Sequence, residues 1–292
     1  MKETIDAFQR IRRLQIKALH YVQDLFSGIY RSTFKGKGLE FEDVREYQPG
    51  DDIRTIDWNV TARSQHPFVK NFREERELTL NLVVDISASS RYGHSTLLKS
   101  ELIAELAAIL AFSAIKNQDK VGLLLFTNEI ELYLPPKKGL RHVLRVIREL
   151  LYFQPKHMGT DLPKALSFLG KVQRKKAICF LISDFLANNF ERQVSVIAKR
   201  HALIAIHVFD VYEKKFAPQG LFALRDLETD KEAIIDTSNS LVQNHFQKQA
   251  QEQERYVKQL FERAGADYTT IHTDESPADA LQRFFRLRRP KR

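Results

Sequence analysis

From residue 78 onward the chain alternates short apolar runs with helical patterns. The runs at 78–84 (LTLNLVV), 121–126 (VGLLLF), 177–182 (AICFLI) and 203–209 (LIAIHVF) are too short for buried helices and suit strands covered on both faces. Between them, residues 96–116 are apolar around most of a helical circumference, 140–152 set Leu140, Val143, Leu144, Ile147 and Leu151 on one face, and 162–172 repeat that pattern. Helices are also predicted at 242–264 and after Ser276, an N-cap residue followed by Pro277 at the first helical position. The series β-α-β-β-α-α-β-α-β predicts an α/β fold with a doubly wound, mainly parallel sheet, and a tight hairpin at 126–130 supplies one antiparallel edge strand.

The first 76 residues read differently. Phe8, Ile11, Leu19, Val22 and Phe26 recur at helical spacing over 3–29, an amphipathic helix that needs a surface to lie on. After Gly36 and Gly38 comes a polar, turn-rich stretch with strand candidates at 39–47 and 68–74. The expected organisation is an N-terminal helix and small β-containing appendage over 1–76, a main domain over 77–275, and a C-terminal helix with a basic tail over 276–292. Residues 210–240 form an excursion from the main domain, with a hairpin expected over 221–235.

Composition narrows the function classes. With 292 residues and 43% apolar content, the chain supports one large domain plus an appended segment. No apolar run reaches the roughly 18 residues of a membrane span, and the first residues lack the apolar stretch of a secretion signal, so a cytoplasmic protein is expected. Cys179, the single cysteine, lies within an apolar run and reads as a small core residue. The net charge is +9, but six basic residues fall in 283–292 (RFFRLRRPKR), which leaves +3 for the other 282. The excess is a tail, and a solvated tail is the reading taken over one that docks on nucleic acid or anionic lipid.

Candidate chemistry gathers at predicted strand ends, where open parallel sheets hold their ligands. The first core strand runs out into Asp85-Ile-Ser87-Ala-Ser89, with a carboxylate and two hydroxyls at alternate positions. The turn Met158-Gly-Thr160-Asp161 precedes a helix, and the run at 177–183 ends in Asp184. If the strands leading to Asp85 and Asp184 are neighbours, the three loops meet at one sheet edge. Two carboxylates and three hydroxyls are hard oxygen donors, suited to Mg²⁺ or Mn²⁺ and unsuited to zinc. Because two of the five donors carry charge, a bound ion keeps enough positive charge to attract an Asp or Glu carboxylate from a partner. The order and spacing of Asp85, Ser87, Ser89, Thr160 and Asp184 resemble the metal-ion-dependent adhesion site of von Willebrand factor A domains. That resemblance covers about residues 78–272 and implies direct binding by Ser87, Ser89 and Thr160, with Asp85 and Asp184 acting largely through water.

The charge-dense segment from Gly38 to Arg63 contains GLEFEDVREYQPGDDIRTIDW. Pro49-Gly50 reverses the chain, Asp51 or Asp52 caps a short helical turn, and Arg45, Arg54 and Arg63 are expected to pair with nearby carboxylates. Trp58, the only tryptophan, is expected to pack the appendage against the main domain rather than to bind a ligand. Together with Asp85–Ser89 and Phe209-Asp-Val-Tyr-Glu213, this segment resembles the bacterial family catalogued as domain of unknown function 58, which joins such a segment to an A-type domain. The resemblance implies a partner among MoxR-type AAA+ ATPases or their substrates. Many members of that family carry N-terminal membrane helices; this chain has only the amphipathic helix, which leaves peripheral membrane contact open.

The expected function is therefore a non-enzymatic adaptor with no catalytic residues. A metal-dependent hydrolase or phosphotransferase is the first alternative, since an Asp at a strand end beside a metal also describes phosphoaspartate enzymes; yet position 87 is Ser where a second acidic ligand is usual. No phosphate-binding Gly-rich loop and no Gly-x-Ser-x-Gly elbow occurs. His157 is the one histidine near the site in sequence and reads as a solvated loop residue. Nucleic-acid binding through the tail, with Phe284 and Phe285 as stacking groups, is the second alternative, although both phenylalanines fit a buried helix face as well.

Overall fold

A computed structural model of the protein describes residues 2–22, 39–64, 66–74, 77–91, 98–213, 220–225 and 232–288. The chain forms two compact units, one of Met1–Thr33 with Leu78–Arg292 and one of Phe34–Glu77.

In the larger unit six strands form one sheet: β3 (Thr79–Asp85), β4 (Lys120–Phe126), β5 (Ile130–Lys137), β6 (Ile178–Ser183), β7 (Ala202–Phe209) and β10 (Asp267–His272). Their order is β10-β7-β6-β3-β4-β5, parallel throughout except that β5 returns antiparallel to β4. This is the doubly wound, mainly parallel α/β architecture that the apolar runs predict. Its centre, β3, is buried at every position from Leu80 to Asp85, which is why its sequence reads as a continuous apolar run rather than an alternation.

The sixth strand is the one the apolar pattern does not reveal. β10 (DYTTIH) lies at an edge and buries only Ile271, so its sequence lacks the apolar run that marks its neighbours. At the other edge, β5 carries Pro135 and Pro136, and the β4–β5 register shifts between Val121 and Leu123. Gly122 makes that irregularity possible: a Cβ there would meet Asn81 Oδ1 at 2.5 Å and Pro136 Cγ at 2.9 Å.

The helices divide between the two faces. α5 (Leu162–Val172), α6 (Glu191–Arg200) and α7 (Ser240–Arg263) cover one, where Val83, Cys179 and Leu181 of the sheet meet Leu166, Val194 and Phe261. α3 (Lys99–Lys116), α4 (Leu140–Tyr152) and α8 (Pro277–Leu287) belong to the other. The all-round apolarity of α3 has a direct cause: α1 (Lys2–Tyr21), α4 and α8 pack on it as well as the sheet, so that Leu102 through Ala114 are all buried. The predicted amphipathic helix thus has its surface. Ala18 is buried against it and Lys17 pairs with Glu105 at 2.7 Å. The part of the prediction beyond Val22 lies outside the described residues.

α8 begins as expected, with the Ser276 hydroxyl accepting from Asp279 N at 3.4 Å and Pro277 in the first turn. It also corrects the stacking idea for the tail. Phe284 is 8% and Phe285 2% exposed, and Phe285 meets Phe180 edge-on at 6.4 Å. Both are core residues, and Arg288 just beyond is held by Asp267 at 2.7 Å; residues 289–292 lie outside the described part. The hairpin expected at 221–235 is present as β8 (Leu221–Arg225) and β9 (Glu232–Asp236).

The smaller unit pairs β1 (Leu39–Glu46) with β2 (Phe68–Glu74) in an antiparallel ribbon. Asp52 caps a 3-10 turn at Ile53–Thr55 and Asp57 caps the single turn α2 (Trp58–Thr61). Arg45 grips Asp51 in a two-pronged pair at 2.8 and 2.7 Å, which turns the charge density of this stretch into turn geometry. Trp58, at the start of α2, is 67% exposed.

Candidate metal centre

β3 and β6 are hydrogen-bonded neighbours, so Asp85 and Asp184 emerge from adjacent strands at the carboxyl edge of the sheet. A direct bond joins the two strand ends, because the Ser183 hydroxyl donates to Asp85 Oδ2 at 2.7 Å. The other carboxylate oxygen of Asp85 accepts from Ser87 N at 3.0 Å, closing the tight turn that carries the serines. Ser87 Oγ and Ser89 Oγ then lie 3.1 Å apart, and the Ser90 hydroxyl donates to Ser87 O at 2.7 Å. Alternate residues do share one side, as the sequence spacing predicts.

The loop that carries Thr160 is bound to the same edge. Ala88 N donates to Met158 O at 2.9 Å, and Asp161 N donates to Thr127 O at 3.0 Å. Asp161 itself is a helix cap, accepting from Lys164 N at 2.8 Å. The loop is braced from below by Glu131, whose Oε1 accepts from Thr127 Oγ1 at 3.0 Å, from Lys156 N at 3.2 Å and from His157 N at 3.0 Å. His157 Nδ1 adds a contact at 2.9 Å, so this histidine is a bracing residue and not merely a solvated one.

Asp184 is followed by Phe185 in the left-handed region, at φ 54°. Such a backbone costs an ordinary side chain on the order of 1 kcal/mol and persists only where neighbours hold it. Here Phe185 N donates to Ser183 Oγ at 3.0 Å and Phe185 O accepts from Gln253 Nε2 of α7 at 3.1 Å. The turn aims the Asp184 carboxylate to the edge while the Phe185 ring drops into the core against Phe190 and Phe261.

Electrostatics set the site apart. Asp85 is 1% and Asp184 6% exposed. Burial first, and then the nearby charge of Asp184, push the Asp85 carboxyl up to about 7, against the opposing hydrogen bonds from Ser183 and Ser87. A cation is also built in: Lys99, 1% exposed at the start of α3, places Nζ 3.4 Å from Asp184 Oδ2 and pairs with Glu213 Oε1. Lys99 is the residue that sequence reading misses, because a lysine in a first helical turn normally faces solvent. Glu213 had a faint signal, as the last residue of the Phe209–Glu213 motif.

The donor set fits a hard divalent ion. The candidate donors at this edge are the hydroxyls of Ser87 and Ser89, 3.1 Å apart, beside the carboxylates of Asp85 and Asp184. A buried Asp85 carboxyl pushed up by burial and by the charge of Asp184, beside two convergent hydroxyls, is an arrangement that a cation relieves.

A six-stranded sheet of this order, with one antiparallel edge and its polar loops gathered at the carboxyl ends of the parallel strands, defines a doubly wound α/β domain with its candidate site at that edge. The chain belongs to the family described as "Protein of unknown function DUF58", which matches residues 43–256. Uncharacterized protein Rv1480 of Mycobacterium tuberculosis is 30% identical over 284 residues, covering 96% of this chain and 89% of that protein. Uncharacterized protein YeaD of Bacillus subtilis is 31% identical over 107 residues, 37% of this chain and 25% of that one. Among solved structures, an aerotolerance-related membrane protein from Bacteroides fragilis aligns over 72% of this chain and 98% of its own, at 12% identity and TM-score 0.48. The SpRpn10 VWA domain aligns over 70% and 93%, at 13% identity and TM-score 0.42.

Proposed function

We infer that this protein is a non-enzymatic interaction module that holds Mg²⁺, or Mn²⁺, through Asp85, Ser87, Ser89, Thr160 and Asp184 and captures an exposed Asp or Glu of a partner protein. The observation that carries the reading is the bonded pair of strand ends, in which Ser183 ties the buried Asp85 to the strand that delivers Asp184. When bound, the ion supplies an open coordination position for an incoming carboxylate. The chain's own residues do the rest. Ser183 and Ser87 N orient Asp85, Leu186 N approaches Asp184 Oδ1 at 3.4 Å, and Glu131 steadies the loop of Thr160. The family resemblance makes a MoxR-type AAA+ ATPase, or a substrate of one, the first partner to test. Among the described residues no helix is long and apolar enough to cross a membrane.

The test is capture of a MoxR-type ATPase by the full chain in Mg²⁺ and in EDTA, beside Asp85→Ala and Thr160→Ala. Capture that needs Mg²⁺ and both side chains supports the reading. Binding unchanged in EDTA sinks it.

A further inference from the structure

Asp85 and Asp184 are held at the sheet edge in different ways. The carboxylate oxygens of Asp85 accept from Ser183 Oγ at 2.7 Å and from Ser87 N at 3.0 Å. On Asp184 the corresponding contacts are long: Leu186 N approaches Oδ1 and Lys99 Nζ approaches Oδ2, each at 3.4 Å. Hydrogen bonds stretched to that length are weak. Asp184 is thus the more loosely held of the two acids, and what faces its Oδ2 is a full positive charge.

Lys99 sits where local preference is against it. It opens α3, at the end of the helix where the aligned peptide dipoles already place positive potential, and at 1% exposure its ammonium has also given up its water. Glu213 keeps it there. Glu213 Oε2 accepts from Asp210 N at 3.0 Å, Glu213 N donates to Asp210 O at 3.0 Å, and Oε1 pairs with Lys99 Nζ. Asp210 is itself fully buried, with Oδ1 accepting from Tyr212 N at 2.9 Å and Oδ2 from Thr273 Oγ1 at 2.8 Å. The Phe209–Glu213 motif is therefore a clamp that joins the end of β7 to the end of β10, one strand away from β6. It presents a fixed carboxylate to the lysine, and the ammonium lies between that carboxylate, outside the candidate donor set, and Asp184, within it.

We propose that Lys99, anchored by Glu213, is a resident competitor for Asp184: it supplies a cation's charge there in the metal-free protein and so sets how tightly the site holds Mg²⁺. This rests on the metal-capture reading and deepens it. Asp85 is fixed by its own bonds, whereas Asp184 is left to choose between two cations. Glu213 decides how much of the lysine's charge remains for it. With Glu213 in place the ammonium is shared between two carboxylates; without it, the whole charge falls on Asp184. Removing the lysine and removing the glutamate must then move Mg²⁺ affinity in opposite directions, while a pair that only braces the fold would weaken binding in both variants.

The test is calorimetric titration of the metal-free full chain with Mg²⁺, for the wild type, Lys99→Met, Glu213→Gln and Asp85→Asn, with circular dichroism to check the fold of each. Lys99→Met is expected to bind at least about tenfold tighter than the wild type and Glu213→Gln at least about threefold weaker, as charges a few ångströms from the ion in a buried setting require. Equal or weaker binding by folded Lys99→Met overturns the proposal. Should that variant not fold, Glu213→Gln decides alone, because its side chain is 28% exposed: weaker binding supports the proposal, and unchanged or tighter binding overturns it. Wild-type binding that Asp85→Asn abolishes, with Lys99→Met no tighter, overturns the competition and leaves the metal reading standing. No Mg²⁺ binding by the wild type overturns both.

Discussion

Lys99 Nζ stands 3.4 Å from Asp184 Oδ2 with its other side against Glu213, although the lysine is 1% exposed. Burial works against the ammonium charge, but Asp184 and then Glu213 outweigh it and hold the group above its ordinary value. The lysine is thus a permanent internal cation at the metal edge. Removing one member of a buried ion pair leaves its partners uncompensated, typically at about 3–5 kcal/mol. Lys99→Met is expected to lose stability of that order in chemical denaturation, and Lys99→Met/Glu213→Gln to regain part of it. A loss under about 1 kcal/mol for the single variant contradicts this account.

Asp85 sits on the opposite side of that balance. Its carboxyl is pushed up by burial and by Asp184, so its charge destabilises the metal-free fold. Asp85→Asn keeps the shape and removes the charge at the expense of one good acceptor. The metal-free variant is expected to match the wild type at pH 8 within about 1 kcal/mol, while the thermal shift produced by Mg²⁺ disappears. A wild type that shows no shift with Mg²⁺ or Mn²⁺ excludes the metal.

Glu131 gives a pH dependence of known sign. Desolvation would raise its carboxyl, but hydrogen bonds from His157, Lys156 N, Thr127 and His157 N outweigh that and hold it below its usual value of 4.5. A group depressed in the fold stabilises above its unfolded value, and that stability is lost as pH falls through the folded one. Glu131→Gln is therefore expected to cost about 1–3 kcal/mol near neutral pH, and the gap to the wild type should close below about pH 4.5. The same variant should weaken Mg²⁺ binding through the loop of Thr160. A gap that widens on acidification contradicts the assignment.

Cys179 is fully buried, and burial pushes its thiol up to about 12. Iodoacetamide at pH 8 should leave the folded protein unlabelled and modify it only with unfolding. Labelling of native protein at the rate of a free thiol would show that the strand opens locally.

Most of the fold is legible along the chain because the central strands are covered on both faces and so spell continuous apolar runs. β10 escapes for the converse reason: with one of its six residues buried, Asp-Tyr-Thr-Thr-Ile-His carries no run and its alternation is weak. The loops that carry Asp85 and Asp184 are legible as neighbours because an α/β sheet places strand-end loops together, and the β3–β6 pairing meets the condition that reading required. Ser183, Glu131 and Lys99 are not, since each acts through a partner 25 or more positions away. Nothing local separates a lysine that turns inward to two carboxylates from one that faces water.

The two prolines of β5 have a consequence for assembly. An outermost strand normally offers a row of amide donors on which another chain can zip, the route to ribbons and fibres. Pro135 and Pro136 stand near the end of β5; since successive residues turn their N–H groups to opposite edges, one of the two takes a donor out of the outer row and blunts this margin against pairing with another chain.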